Sequence, residues 1–402
     1  MDFKRIFKSF TDYIFHSDII LWIIIAAMSM YSLTLLASVS SAEGIAYDRT
    51  QFFAIAMGVF GAIIISKIDY LRLANFWYLI AIFSVFIMIY TIVTATAVVG
   101  SGGVNAKAWI KIGSRTFQPS ELVKIGFLLT YSKHLDTLKK KDLIDEVFHI
   151  LLLLFHALVP FMLCIQQGDG GAGFIFFFMF LAMSYSAGIK IRYFVVLGLI
   201  ILAASPFLWR MLEPYQQKRI IALFTLNFED VLSDDTYQQY HAQISIGSGQ
   251  WNGMGIHNGR RVASRAVSIQ QSDFIFSVAG EELGFIGCVA IIVLIFLLLL
   301  KILHIALSAR DGLGRYIAFG FFGLVAVQSI INIGMCISLL PVMGVTLPFF
   351  SAGGSSAMCL YFGIGLLQSI HLRRKESDGM TLNRKSPLQF SYRQVKRLNR
   401  SR

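Results

Sequence analysis

Charge is scarce in this 402-residue chain: Asp, Glu, Lys and Arg make up 14% of it, against 56% hydrophobic residues. A soluble domain cannot hide so much apolar surface, which excludes a water-soluble globular fold. Short segments of alternating polarity are missing, which excludes a transmembrane β-barrel. Cysteine is limited to Cys164, Cys288, Cys336 and Cys359, all inside apolar runs. Their spacing suits neither a disulfide framework nor a zinc site. No Gly-Lys-Ser/Thr follows the glycine-rich stretch 247–259, so no phosphate-binding P-loop is expected. A cleavable signal peptide is absent as well, because the first apolar run starts too far in and is too long. Internal repeats and low-complexity tracts are also lacking.

What the chain does have is apolar blocks of about twenty residues, the length that spans a bilayer. Ten such spans are expected, near 18–38, 50–67, 76–96, 118–136, 147–165, 171–188, 192–209, 274–302, 315–340 and 347–370. The fold class is all-α, a polytopic membrane protein. Lys67 and Arg72, Lys139 to Lys141, Lys190 and Arg192, Arg310 and Arg315, and Arg373 to Lys375 all fall on one side. By the positive-inside rule both termini are cytoplasmic. Residues 1–17 carry Phe3, Ile6, Phe7 and Phe10 opposite Lys4, Arg5 and Lys8, a pattern for a helix lying on the membrane surface. Residues 18–370 form the membrane domain, and 371–402 a basic, disordered tail. The formal net charge of +12 points to anionic lipid headgroups, not nucleic acid.

Two segments break the charge rule on the extracytoplasmic face. One is 97–117, with Lys107, Lys111 and Arg115; the other is the long loop 210–273 between spans seven and eight, with Arg219, Arg260 and Arg261. An anionic ligand at that face would account for them, and so would charge that long loops simply tolerate. A loop of that length is expected to fold into a cap.

Four constellations can carry chemistry. In "FQPSELVKIGF" (117–127), Pro119 suits a first helical turn, and Ser120 and Glu121 suit its positive end. Glu121 and Lys124 stand three apart and can pair. The pair either fixes helix packing or offers Lys124 to an anionic group. In "QQGDGGAGF" (166–174), Asp169 is either a cation ligand or a helix cap. In "QQSDFIFSVAGEELGFIG" (270–287), Asp273 precedes the eighth span. On one continuous helix Glu281 would lie about 12 Å deeper and about 80° around from Asp273, with Glu282 nearly opposite. The three carboxylates then form no single cluster: the glutamates tie helices together, with Gly280, Gly284 and Gly287 allowing close contact. Asp273 is left to act on an extracytoplasmic substrate. In "SLLPVMGVTLPFFSAGGSS" (338–356), Pro341, Pro348, Gly353 and Gly354 break the helices, which at membrane depth implies a cavity. Ser355 and Ser356 supply hydroxyls to it.

Together these blocks, with "YQQKRI", "TYQ" and "ISIGSG", resemble the SEDS family (shape, elongation, division and sporulation). The resemblance runs from the third span to the last. It implies a peptidoglycan glycosyltransferase of the bacterial cytoplasmic membrane that polymerises lipid II at the outer face. It carries the family's essential aspartate onto Asp273. Its Gln-Pro-Ser-Glu block falls on Gln118, Pro119, Ser120 and Glu121, its lysine on Lys124 and its turn aspartate on Asp169. It further implies a divalent cation (Mg or Mn), a class B penicillin-binding protein as partner, and other elongation or division complex proteins. The chain departs from the pattern at Gly168, Gly170, Ala108, Ala352 and "SIQQS".

The chemistry is consistent with these residues. An acceptor hydroxyl needs a base, whereas a leaving lipid diphosphate needs positive charge and no proton. Asp273 is the expected base, and Arg219, Lys124, Arg260 and Arg261 are the expected cations. Ser355 is expected to touch substrate. "NIGM" and the short termini favour the elongation (RodA-like) branch, with a division- or sporulation-type (FtsW-like) polymerase or a lipid II flippase as alternatives.

Overall fold

The computed structural model describes residues 16–95, 98–99, 105–113, 115–223 and 234–381. The expected surface helix at 1–15 and the tail beyond 381 lie outside the described residues. The described residues form fourteen helices. In chain order α1 is Ile19–Glu43, α2 Tyr47–Lys67, α3 Tyr70–Asn75 and α4 Trp77–Thr94. Two small antiparallel hairpins follow, β1 (Val98–Val99) with β2 (Asn105–Ala106) and β3 (Ile110–Ile112) with β4 (Arg115–Phe117). Then come α5 Pro119–Lys140, α6 Val147–Gln166, α7 Gly170–Ser186 and α8 Ile191–Met211. The long loop folds into α9 Pro214–Ala222, α10 Asp234–Ser248 and α11 Arg260–Ala263. α12 Ile275–Leu307, α13 Gly312–Cys336 and α14 Gly354–Thr381 complete the fold.

Eight of these (α1, α2, α4, α6, α8, α12, α13 and α14) are long and apolar enough to cross a membrane, and α7 is apolar but shorter. α5 does not meet that standard, because Glu121, Lys124, Lys133 and Asp136 interrupt it. It is sheltered by protein instead, with most of its first five turns buried. α14 runs to Thr381, so helix continues past the expected start of the tail at 371.

Small residues set the closest helix contacts. The space a Cβ would fill at Gly58 of α2 holds the Tyr361 ring of α14, and that at Gly61 holds Phe362. Gly365 returns the contact against Ala62. In a bilayer, such close approach supplies the packing that the hydrophobic effect cannot. α8 differs from its neighbours in having no buried residue.

Two boundaries differ from the sequence reading. α13 stops at Cys336 and α14 starts at Gly354, so the expected spans 315–340 and 347–370 each give up residues to a non-helical segment, 337–353. Pro341 and Pro348 forbid helix there. The segment's second half is nonetheless buried: Leu347, Phe349 and Phe350 are nearly inaccessible. Its backbone is satisfied by polar side chains from the spans around it. Ser32 donates to the Phe350 carbonyl at 2.6 Å, Gln51 to the Ser351 carbonyl at 3.1 Å, and Gln328 to the Thr346 carbonyl at 3.0 Å.

α12 holds the second difference. It is interrupted at Gly284, whose φ of 68° and ψ of −162° are open to glycine alone. The glutamates before this break tie helices together, as expected, and also fasten the loop segment 249–261. Glu281 accepts from the Arg261 backbone N–H at 2.7 Å, and Glu282 accepts from the His257 N–H at 3.2 Å and from Ser38 of α1. Gly249 lies against the Gly280 and Glu281 backbone, and Gly253 against Glu282 and Gly284, where a Cβ on either loop glycine would overlap backbone atoms.

Candidate active site

The site grows from the start of α5. Pro119 occupies the first helical turn, which leaves Gln118 extended at the end of β4. From there the Gln118 Nε2 donates to Asp169 Oδ2 at 2.6 Å, and its backbone N–H reaches Ser355 Oγ at 3.4 Å. Asp169 Oδ1 also accepts the Ala172 N–H at 3.0 Å, so this residue caps α7. The cap, one of its two sequence readings, is present, and the second oxygen serves Gln118. The glycines beside it have separate reasons. Gly168 sits at φ 78°, and a Cβ on Gly171 would overlap the Met343 carbonyl and Val345. The start of α7 therefore presses directly onto the 337–353 segment.

One turn into α5, Lys124 Nζ meets Glu121 Oε2 at 2.8 Å. The lysine side chain is 1% exposed and the glutamate 8%. An ammonium carries three donors, and this one finds a single carboxylate. Ser120, on the same turn, is fully buried, and its Oγ has no hydrogen-bond partner among the described residues.

Asp273 lies two residues before α12 and is 7% exposed. Ser272 Oγ donates to its Oδ1 at 3.0 Å. Its backbone is held from α13. The Asp273 carbonyl accepts from Asn332 Nδ2 of α13 at 2.8 Å, and the same amide donates to the Val345 carbonyl at 2.7 Å. Next to it, Ala352 N–H donates to the Gln271 carbonyl at 2.8 Å, and Ser351 Oγ donates to the Ser272 carbonyl. Ile269 and Phe349, which flank this contact, sit at φ 58° and 66°. A β-branched residue in that region is strained and persists only where its surroundings hold it.

The 337–353 segment is thus the hub. Asp273 joins it through Asn332 and Val345. Asp169 joins it where α7 meets Met343, and Ser355 lies just past its end. Arg219 of α9 donates from Nη1 to the Val342 carbonyl at 3.0 Å. The structure gathers Gln118, Asp169 and Ser355 by direct contact, and brings Asp273 and Arg219 to the same segment. Arg260 stays exposed on α11, outside these contacts. Arg261 is braced by Ser245 at 3.0 Å and by His241 Nδ1. Burial, and then the guanidinium of Arg261, holds the His241 imidazole below its ordinary value, which keeps it a neutral acceptor.

Sequence reasoning missed the polar side chains that hold the hub, above all Asn332, Gln328 and Gln51. Their signal was an amide inside an apolar run, a placement that needs a partner.

The arrangement defines a polytopic helical membrane protein with a broken-helix segment and a nearby aspartate. A family model of cell cycle proteins, FtsW/RodA/SpoVE, matches residues 14–376. The chain belongs to this family. It is 31% identical over 325 residues to stage V sporulation protein E of Bacillus subtilis, covering 81% of this chain and 86% of that one. Peptidoglycan glycosyltransferase MrdB of Escherichia coli is 30% identical over 375 residues, 92% of this chain and 96% of its own. Among solved structures, the fold matches RodA of Thermus thermophilus with a TM-score of 0.65 at 26% identity, over 89% of this chain and 97% of that one. It matches a chain from work described as "Structural coordination of polymerization and crosslinking by a peptidoglycan synthase complex" with a TM-score of 0.73 at 26% identity, over 89% and 98%.

Proposed function

We propose that this chain is a peptidoglycan glycosyltransferase that polymerises lipid II at the outer face of the cytoplasmic membrane, with Asp273 as general base. The observation that carries this reading is the convergence of Asp273, Arg219 and the Gln118–Asp169–Ser355 cluster on one non-helical segment. The names of the relatives, MrdB among them, support the activity.

The reaction joins an acceptor sugar hydroxyl to the anomeric carbon of a donor. The new C–O bond forms as the bond from that carbon to the lipid diphosphate breaks. The diphosphate leaves as an anion, and the hydroxyl proton goes to Asp273. One carboxylate suffices, because the leaving group needs no acid, unlike that of an ordinary glycoside. Arg219, Lys124 and Arg260 would offset the charge on the diphosphate, and Gln118, Ser120, Glu121, Asp169 and Ser355 would orient the sugars. Lys124 and Asp273 are nearly closed off in this conformation, so substrate reaches them through movement of the hub or the loop above it.

The described residues do not form a metal cage. Among the described residues no three His, Cys, Asp or Glu side chains come together as a ligand set. The proposed divalent cation would therefore arrive with the diphosphate, as Mg²⁺ commonly does with phosphates and one or two carboxylates. No step above depends on it. A class B penicillin-binding protein is the proposed partner, in keeping with the synthase complex whose chain shares this fold. Elongation is the proposed role, supported by the "NIGM" element and by the fold's likeness to RodA.

The test is polymerisation of purified lipid II by the wild type and Asp273→Asn, with and without the cognate penicillin-binding protein. Glycan strands from the wild type alone support the proposal. Strands from both would move the base elsewhere, and none under any condition would return the flippase reading. Rescue of rod shape in an elongation-depleted strain, but not of septation in a division-depleted one, tests the branch.

A further inference from the structure

A groove of about 670 Å³ lies between α4, α5 and α6, within the range of about 300–1,000 Å³ typical of small-molecule sites. Leu152, Phe155 and Trp77 form part of its wall and remain exposed, so it opens sideways out of the bundle. Its body is apolar, from Met88, Val123 and Leu163 at one end. Its other end is not. Thr130, Lys133, His134 and Thr137 of α5 line it there, and their three- and four-residue spacing makes them one stripe.

That end lies at the level of the α3–α4 junction, where Lys133 Nζ donates to Asn75 Oδ1 at 3.0 Å. The amide is neutral, and no carboxylate pairs with Lys133 among the described residues. His134 Nδ1 and His156 Nδ1 stand within hydrogen-bond distance at 3.2 Å, while His156 Nε2 meets Thr130 Oγ1 at 3.3 Å. His134 Nε2 is left without a partner among the described residues. A cation and a spare imidazole nitrogen at the mouth of an apolar groove suit an anionic headgroup. Trp77, at the same end, suits an interfacial level. The next turn of α5 leads to Lys139, Lys140 and Lys141, and basic residues in such a place draw anionic lipid.

We propose that this groove binds an anionic phospholipid, its phosphate held by Lys133 and His134 and its acyl chains lying along the apolar body between α4, α5 and α6. The phosphate end is at the opposite end of α5 from Gln118 and Lys124. Val123 and Lys133 alone are about 15 Å apart along the helix axis. The site is therefore separate from the diphosphate of the proposed reaction, and the inference stands whether or not that reaction is confirmed.

The test uses the purified full chain, titrated with phosphatidylglycerol or with phosphatidylcholine of the same acyl chains, and read by native mass spectrometry and by thermal unfolding. Phosphatidylglycerol should bind saturably and raise the Tm, and phosphatidylcholine should do so more weakly. Lys133→Gln should weaken phosphatidylglycerol binding about fivefold, the worth of one interfacial lysine, and leave phosphatidylcholine unchanged. Ala81→Phe, which fills the groove, should abolish binding of both. Val85→Trp, at an exposed wall position, replaces it if that variant fails to fold. Equal binding of the two lipids by the wild type would reduce the groove to ordinary lipid contact. Unchanged phosphatidylglycerol binding by the filled variants would place the lipid elsewhere. Displacement of phosphatidylglycerol by an equimolar polyprenyl phosphate would make the groove a carrier-lipid site and overturn the proposal.

Discussion

Asn332 holds Asp273 by its backbone: the amide donates to the Asp273 carbonyl at 2.8 Å and, with its second hydrogen, to the Val345 carbonyl at 2.7 Å. The carboxylate itself is left to Ser272 Oγ and to its surroundings. Asp273→Asn keeps the size of the side chain and leaves the Asn332 bonds intact. It should reduce polymerisation by about a hundredfold or more, the usual worth of a general base. Its Tm should stay close to that of the wild type. Turnover of lipid II and thermal unfolding, measured on one preparation, check both halves.

Asn332→Leu should behave in the opposite way. It leaves the aspartate in place but strips the Val345 carbonyl of the Asn332 donor, at about 1–3 kcal/mol, and leaves the Asp273 carbonyl with the weaker Cys336 thiol at 3.7 Å. The expected result is a lowered Tm together with reduced activity, because the side-chain tether that joins Asp273 directly to the 337–353 segment is lost. An Asn332→Leu protein with wild-type stability and turnover would show that the tether is idle.

The sequence made the spans legible because a bilayer demands long apolar runs, and α1, α2, α4 and α6 to α8 sit where those runs lie, while α3 falls between two of them and α5 carries charges. Proline was equally informative: Pro119 starts α5, and Pro341 and Pro348 lie in the broken segment. Asn332 was harder to interpret, since its partners are carbonyls brought close only by the fold, one of them 59 residues away. Gly284 misled, because a glycine that permits close helix packing and one that breaks a helix look alike in sequence. Burial of Lys124 was likewise hidden, since one helix shows the pair with Glu121 but not what covers it.

Gly284→Ala should be severely destabilising. The residue lies at φ 68° and ψ −162°, a region that only glycine occupies at low cost. A Cβ there would also overlap the Gly253 backbone nitrogen and the Trp251 carbonyl. Strain and collision together should lower the yield of folded protein and its Tm. The loop 249–261 should become accessible to protease before the rest of the chain, because that is the part pressed against α12. Limited proteolysis with mass mapping reads this directly.

The Glu121–Lys124 pair separates packing from catalysis. Both groups are buried, at 8% and 1% side-chain exposure, so removing one strands the other's charge. Lys124→Met should therefore cost about 3–5 kcal/mol, and its loss of activity alone would say nothing about substrate. Glu121→Gln with Lys124→Met removes both charges at once. A buried pair replaced by uncharged side chains of similar volume is often neutral in stability, so the double variant should recover the Tm that the single variant loses. If Lys124 also meets the leaving diphosphate, activity should remain low in the restored fold. Recovery of turnover along with the Tm would make the pair a packing device and leave the diphosphate to Arg219 and the loop arginines.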